Sequence, residues 1–293
     1  MGNRFQGGIA DGAMPWKNRH IGNPTLSFVG RALFRIPVRD FHCGLRGITK
    51  QAFERIDLRT SGMEFASEMV IKAAQRDLRI VEVPTTLDKD GRSRPPHLRP
   101  YRDGWRHLRF MMLFSPRWLF LIPGAVLLAV SLVLYIRLLL GPLSLGVVSL
   151  DIRGLFFAQT GALLGLLAVL TAVATRAMGT RDGMFVEHQH LRHMANYPVS
   201  EIGAVVGALL VLAGGIVGLT AVAGWGASEN FGTLAADQLM RSVSLSTFLL
   251  SVGGLIFVFS LIVGFISLPV RRELAVLVLA DRKASEVSKA SVL

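Results

Sequence analysis

One cysteine, Cys43, is all the chain holds in 293 residues. A lone thiol cannot build an internal disulfide framework, and it fits a reducing compartment for the part that carries it. Acid and histidine are missing where they would carry most meaning: no Asp, Glu or His lies deep in any long apolar run. That absence argues against a proton-coupled transporter, whose ion sites need such groups. There is no Gly-rich Walker loop and no His/Cys set with metal-ligand spacing, so neither a phosphate loop nor a zinc site is expected. The basic-and-aromatic signatures of nucleic-acid modules are also missing, which removes RNA and DNA from the expected partners. Met1–Phe5 is polar and the first apolar run starts only after residue 117, so no cleavable leader is expected there.

What the chain does have is apolar length. Half its residues are hydrophobic and its mean hydropathy is +0.47, outside the range of ordinary soluble domains. Four stretches, 118–140, 155–174, 202–222 and 245–268, are long enough to cross a bilayer core of roughly 30 Å as helices. Their one charge, Arg137, sits near a span end, where its stem can snorkel to the interface. Gly161/Gly165, Gly203/Gly207 and Gly214/Gly218 have the four-residue spacing that lets helix backbones approach closely. We read these as helix packing, with contact between copies in a homo-oligomer left open.

Charge is just as uneven. Residues 1–117 hold 21 of the 32 Lys and Arg but only 11 of the 20 Asp and Glu. A basic head beside a membrane suits anionic headgroups or phosphorylated substrates. Arg176, Arg181 and Arg192 mark the loop between spans two and three. Arg271, Arg272, Arg282, Lys283 and Lys289 mark the tail at 271–293. The other two loops hold one arginine each. The positive-inside rule therefore predicts a multi-pass protein of the inner (cytoplasmic) membrane with both termini cytoplasmic.

Within the head, the pattern predicts a strand end at Met1–Phe5, a helix from Asn23-Pro24 to about Phe34, and a short strand or turn at Gly44–Thr49. A helical turn follows at Gln51–Ile56, then a helix at Gly62–Asp77 and a strand at Arg79–Leu87. The loop Asp88–Pro100 is polar and basic. Residues 101–116 form an amphipathic helix, with Trp105, Leu108, Met112 and Leu113 opposite Arg102, Arg106 and Arg109, suited to the membrane surface. Helix and strand in alternation indicate part of an α/β sheet domain over 1–100, followed by an all-α four-helix membrane domain over 117–270.

The ordered motifs Met1-Gly-Asn-Arg-Phe5, Asn18-Arg19, Asn23-Pro24, Asp40-Phe-His-Cys-Gly-Leu-Arg46, Gly62-Met-Glu-Phe-Ala-Ser-Glu68, Glu82-Val-Pro84 and Asp90-Gly-Arg-Ser-Arg94 resemble the C-terminal half of the catalytic domain of family 2 glycosyltransferases. The resemblance is to the branch that includes dolichol-phosphate mannosyltransferase and polyprenyl-phosphate glucosyltransferases. It covers about residues 1–117 and implies a partial GT-A fold. The implied reaction moves a sugar, with inversion, from a nucleotide-sugar to a polyprenyl phosphate. Arg4 and Arg19 fall where family arginines approach the diphosphate or the lipid phosphate. Arg92, Ser93 and Arg94 match the loop that closes over the reacting phosphates. Asp40 matches an acid beside the sugar pocket, and Glu68 an acid that orients a clamping arginine. Mg²⁺ or Mn²⁺ is expected for the intact family enzyme, with its ligands in an earlier half that this sequence lacks. The chain is accordingly expected to be N-terminally truncated and inactive as written.

Plainer readings stand beside these. Asp40 can cap a turn, and Glu64 and Glu68 can be ordinary helix charges paired with a nearby Lys or Arg. His42 and Cys43 read as packing. His188, His190 and His193 do not share one helix face. For the whole chain, a non-catalytic scaffold or subunit derived from such an enzyme is the alternative, and a small channel is less favoured.

Overall fold

The structure is a computed structural model that describes residues 1–62, 64–89, 91, 100–145, 148–185, 199–229 and 236–268. In the head, β1 (Gly2–Asn3) runs into a four-residue helix α1 (Arg4–Gly7), whose first turn is capped by the Asn3 side chain accepting from the Gln6 N–H. A π-turn at Asn18–Gly22 leads into α2 (Asn23–Phe34), where Pro24 occupies the first turn and costs no hydrogen bond. Helix α2 ends on Arg35 in the left-handed region, φ 55°. Thr49 caps α3 (Lys50–Ile56) by accepting from the Ala52 N–H. Then come α4 (Glu64–Gln75), β2 (Val83–Pro84) and α5 (Pro100–Leu113).

The expected α/β character is thin. β1 and β2 pair in parallel over two residues, Gly2 with Val83 and Asn3 with Pro84, and an isolated parallel bridge joins Ile9 to Leu87. The strand expected over Arg79–Leu87 narrows to Val83–Pro84, and Gly44–Thr49 forms no strand. On its other side β1 donates one backbone bond, from the Gly2 N–H to the Leu45 carbonyl. Among the described residues of the head, these pairings are all the sheet there is. What holds the head together is a core of Ile36, Val38, Phe41, Val70, Ile71, Met111 and Phe114, each side chain contributing about 1.5–3 kcal/mol by leaving water.

Four long apolar helices follow. α6 (Ile122–Leu140) continues a π-turn at Arg117–Leu121, and α7 spans Ile152–Arg181, α8 Val199–Glu229 and α9 Ala236–Ile266. Each holds a window apolar enough for a bilayer, with mean hydropathies from 1.9 to 2.6. A short hairpin, β3 (Leu143–Leu145) with β4 (Val148–Leu150), joins the first pair. Helices α6 and α7 pack together, α8 packs on α9, and α9 against α7 joins the two pairs. The expected glycines lie at these seams. A Cβ on Gly207 would meet the Phe257 backbone nitrogen at 2.6 Å, and one on Gly253 the Gly207 carbonyl at 2.7 Å. The glycine pairs thus serve contacts within one chain.

Thirty residues of α7 reach about 45 Å, one to two turns more than the bilayer core needs on either side. The helix stops at Gly183, φ 69°, and the turn is closed by the Met184 and Phe185 N–H groups donating to the Gly179 carbonyl. Met184 and Phe185 then pack against the head's core, and the Phe185 ring meets Phe114 edge-on at 5.4 Å. Head and α7 end therefore share one side of the bundle.

Candidate functional site

Two of the expected site residues come together. Asp40 is fully buried, and Arg4 grips it side-on: Nε donates to Oδ2 and Nη2 to Oδ1, both at 2.8 Å. The Arg4 backbone N–H adds a bond to Oδ2 at 3.0 Å. This bidentate geometry is the strong form of the pair. Hydrogen bonding to Asp40 outweighs burial and raises the Arg4 pKa above its ordinary value, so the guanidinium is a permanent cation. Its side chain is 16% exposed, and among the described residues its Nη1 edge meets no partner.

The Asp40 loop is held from outside and inside. Glu82 Oε1 accepts from the Arg39 and Asp40 N–H groups, both at 2.9 Å. Arg46 reaches back to three carbonyls: Phe41 at 2.7 Å, Cys43 at 2.8 Å, and Ala66. Burial lowers the Arg46 pKa from its ordinary value. Both residues lie in the quoted motifs, yet only the fold reveals what they hold. His42 meets His107 edge-on at 4.7 Å, and the Ser67 hydroxyl lies 3.0 Å from His107 Nδ1. Burial, then His107 and Arg46, push the His42 pKa down to about 3. Burial lowers that of His107 as well. His42 and His107 are neutral at pH 7.

Glu68 stands elsewhere. It is buried against Lys72 at 2.6 Å, the side chains 0% and 1% exposed, while Lys72 also donates to the Asp57 carbonyl. The Glu68 carboxylate accepts from the N–H groups of Arg59 and Thr60 and from the Thr60 hydroxyl. Burial pushes its pKa up, but Lys72 and Thr60 outweigh that and hold it below the usual carboxylate range. The acid thus fixes the Asp57–Thr60 turn, and its ammonium partner sits at the i+4 position that helix spacing offers. Glu64 pairs with Arg106 at 2.8 Å and ties α4 to α5. Arg19 lies half-buried on the π-turn that packs beside α5, with no contact to Arg4 or Asp40. Arg92, Ser93 and Arg94 lie outside the described residues, as do His188, His190, His193 and the tail.

Among the described residues, no three His, Cys, Asp or Glu gather as metal ligands. Asp40, Glu64 and Glu68 are each taken by a cation. One Asp-x-Asp spacing does occur, at Asp88-Lys89-Asp90; Asp88 is exposed and Asp90 is outside the described residues. The described side chains therefore do not fit a Mg²⁺ or Mn²⁺ site.

In the membrane half, single polar residues meet across helices. Tyr135 shares a hydrogen bond with Ser244 at 3.3 Å, Ser244 donates to Gln159 Oε1 at 2.7 Å, and Gln159 Nε2 donates to Thr247 at 3.1 Å. Nearby, Arg241 pairs with Asp151 at 2.8 Å. This network joins α6, α7 and α9. It escaped the sequence reading because each residue stands alone in its apolar run.

Comparison with known proteins adds two findings. Residues 173–267 match the C-terminal transmembrane region of glycosyltransferase family 2. The chain is also 41% identical over 124 residues to the low-salt glycan biosynthesis hexosyltransferase Agl6 of Haloferax volcanii, a match that takes in 42% of this chain and 30% of that protein. The match thus spans under a third of that relative's length. No solved structure matches the chain significantly. The membrane match and the relative both point toward glycosyltransferases of family 2, in keeping with the resemblance carried by the motifs of the head.

Proposed function

We propose that this chain supplies the acceptor-side part of a membrane glycosyltransferase that moves a sugar from a nucleotide-sugar to a polyprenyl phosphate at the cytoplasmic face of the inner membrane. The observation that carries this is the Arg4–Asp40 clamp. A guanidinium fixed on one edge by a buried carboxylate keeps its other edge free to donate to an anion. The head that holds the clamp is seated on the spans through Met184 and Phe185, which suits a phosphate tethered to the bilayer by its hydrocarbon tail.

The chemistry asks little of a base, because the acceptor is already an anion. A phosphate oxygen attacks the anomeric carbon, the new C–O bond forms as the bond to the diphosphate breaks, and the nucleoside diphosphate leaves with the electron pair. In-line attack inverts the anomeric centre. What the protein supplies is charge and position. Arg4 is the phosphate clamp and Asp40 orients it. Glu68, through its grip on the Asp57–Thr60 turn, is a positioning residue. Arg19 and the Arg92-Ser93-Arg94 loop are further phosphate contacts in this reading. The head domain is the C-terminal half of a GT-A fold, and the divalent metal of the family is given no place on the described residues.

The test is binding of a short-chain polyprenyl phosphate to the detergent-purified chain, with the unphosphorylated polyprenol as control. Charge-assisted hydrogen bonds contribute about 1.5–3 kcal/mol, so Arg4→Ala should weaken phosphate-lipid binding roughly 10- to 100-fold. Equal affinity for alcohol and phosphate, or no effect of the substitution, refutes the proposal. Lipid binding with no sugar transfer in any assembly containing the chain would support the scaffold reading instead.

A further inference from the structure

Residues 83–87 pair in parallel with the start of the chain, and the two sides of that pairing differ in length. Val83 donates its N–H to the Met1 carbonyl at 2.8 Å, Thr85 to Asn3 at 3.1 Å, and Leu87 to Gly8 at 3.0 Å. A regular parallel ladder keeps even steps and would bring residue 5 opposite Leu87. Three extra residues are therefore folded into the turn α1 (Arg4–Gly7), while the partner segment runs straight past it. Beyond the turn the pairing resumes, with Ile9 bridged to Leu87 and the Ala10 N–H on the Leu87 carbonyl. Insertions of this kind re-aim a side chain and gather next to active sites.

The side chain re-aimed here is Arg4, the first residue of the turn. Its backbone N–H and its guanidinium both rest on Asp40, so the turn cannot roll without losing both. Each end of the turn is fixed. Asn3, fully buried, starts it by accepting from the Gln6 N–H at 3.0 Å. At the far end Gly7 lies flat on Thr85, where an added Cβ would overlap the Thr85 nitrogen and carbonyl oxygen. Those are backbone atoms of the ladder, and the Thr85 N–H is already committed to Asn3. They cannot swing aside as a side chain would. Gly8 then leaves the turn at φ 109°, a conformation that residues with a Cβ rarely adopt.

We infer that Gly7 is a positioning residue for the phosphate clamp. Its missing side chain lets the inserted turn lie against Thr85, and that seat sets the direction of the Nη1 edge of Arg4. The functional part rests on the reading of Arg4 as a phosphate ligand, while the seat itself can be tested without any ligand.

The ligand-free readout is the Arg4 Nε–H signal in NMR spectra of the detergent-purified chain, which exchanges slowly with water while its bond to Asp40 lasts. Gly7→Ala should abolish that signal. Gly47→Ala, where a Cβ meets nothing within 4 Å, should keep it. Short-chain polyprenyl phosphate and the matching polyprenol are then compared on the same variants. Gly7→Ala should lose roughly 10-fold or more of the preference for phosphate, and Gly7→Ala with Arg4→Ala should lose no more than Arg4→Ala alone. A surviving Nε–H signal or a full phosphate preference in Gly7→Ala overturns the inference. Hydrogen exchange in residues 64–75 reports whether the head stays folded. Should Gly7→Ala unfold it, the other end of the turn decides. Asn3→Ala should lose the Nε–H signal and Asn3→Ser, which keeps a capping oxygen, should retain it; equal signals in the two overturn the inference. Equal binding of alcohol and phosphate by the native chain refutes Arg4 as the phosphate ligand instead, and the Nε–H signal still decides whether Gly7 seats the turn.

Discussion

The head and the membrane half solve the same problem, fixing neighbouring segments, with opposite materials. In the head, buried charge does it: Arg4 on Asp40 locks β1 to the Asp40 loop, and Glu68 on Lys72 locks α4 to the Asp57–Thr60 turn. Between the spans, contact is made by absence, where Gly207 and Gly253 let backbones touch, with uncharged hydrogen bonds from Tyr135 to Ser244 and Gln159. A buried ion pair repays its desolvation only if its geometry and hydrogen bonds are complete. Packing inside a bilayer has no such threshold. The head should therefore be brittle to loss of one charge, and the bundle sensitive to added volume.

The largest expected break is Lys72→Met. Removing one partner of a buried pair leaves Glu68 uncompensated and should cost about 3–5 kcal/mol, read as loss of the head's denaturant transition. Glu68→Gln with Lys72→Met should recover a good part of that. A double variant as unstable as the single one would show that the N–H groups capped by Glu68 matter more than the ion pair.

Acid gives the next effect. His42 is held neutral with a pKa of about 3 against an ordinary 6.5, by burial and by His107 and Arg46, with Asp40 opposing. A folded-state pKa below the unfolded one leaves stability intact above pH 6.5 and erodes it as pH falls toward 3. The slope is about 1.4 kcal/mol per pH unit, or about 2 kcal/mol by pH 5. His107 is lowered in the same direction. His42→Gln should flatten the profile of head stability between pH 6.5 and 5, and an unchanged slope would assign it to other groups.

The smallest effect sharpens the bundle side. Gly207→Ala places a methyl against the α9 backbone and should cost about 1–3 kcal/mol in resistance to denaturing detergent. Gly215→Ala, on the same helix with nothing within 4 Å of its Cβ, should be neutral. Equal losses at both would mean the α8–α9 seam is not as tight as described.

How far the sequence foretold this differs between the halves for a physical reason. Four spans are legible because twenty apolar residues in a row have one meaning, and α2, α3 and α4 because their periodicity, with Pro24 opening α2 and Thr49 capping α3, is local. Arg4 and Asp40 can each be singled out by motif, but their mutual grip joins residues 36 positions apart and exists only once β1 lies beside the Asp40 loop. Lys72 is the reverse case, since it sits one turn from Glu68 and spacing alone nominates it. The strand expected over Arg79–Leu87 shortens to Val83–Pro84 because, among the described residues, the segment meets only the two residues of β1 and a single bridge to Ile9. Gln159 and Ser244 gave no signal until α7 and α9 were laid side by side.

The short turn after α7 carries a consequence for how the protein is made. Met184 and Phe185 complete the head's interior, yet they follow the second span in the chain and reach the head only once the polypeptide has crossed the bilayer and come back. Translation delivers the head's last pieces late, so residues 1–114 must wait, their apolar side open, until insertion of the second crossing returns them. A fault in that insertion would therefore surface as a misfolded head.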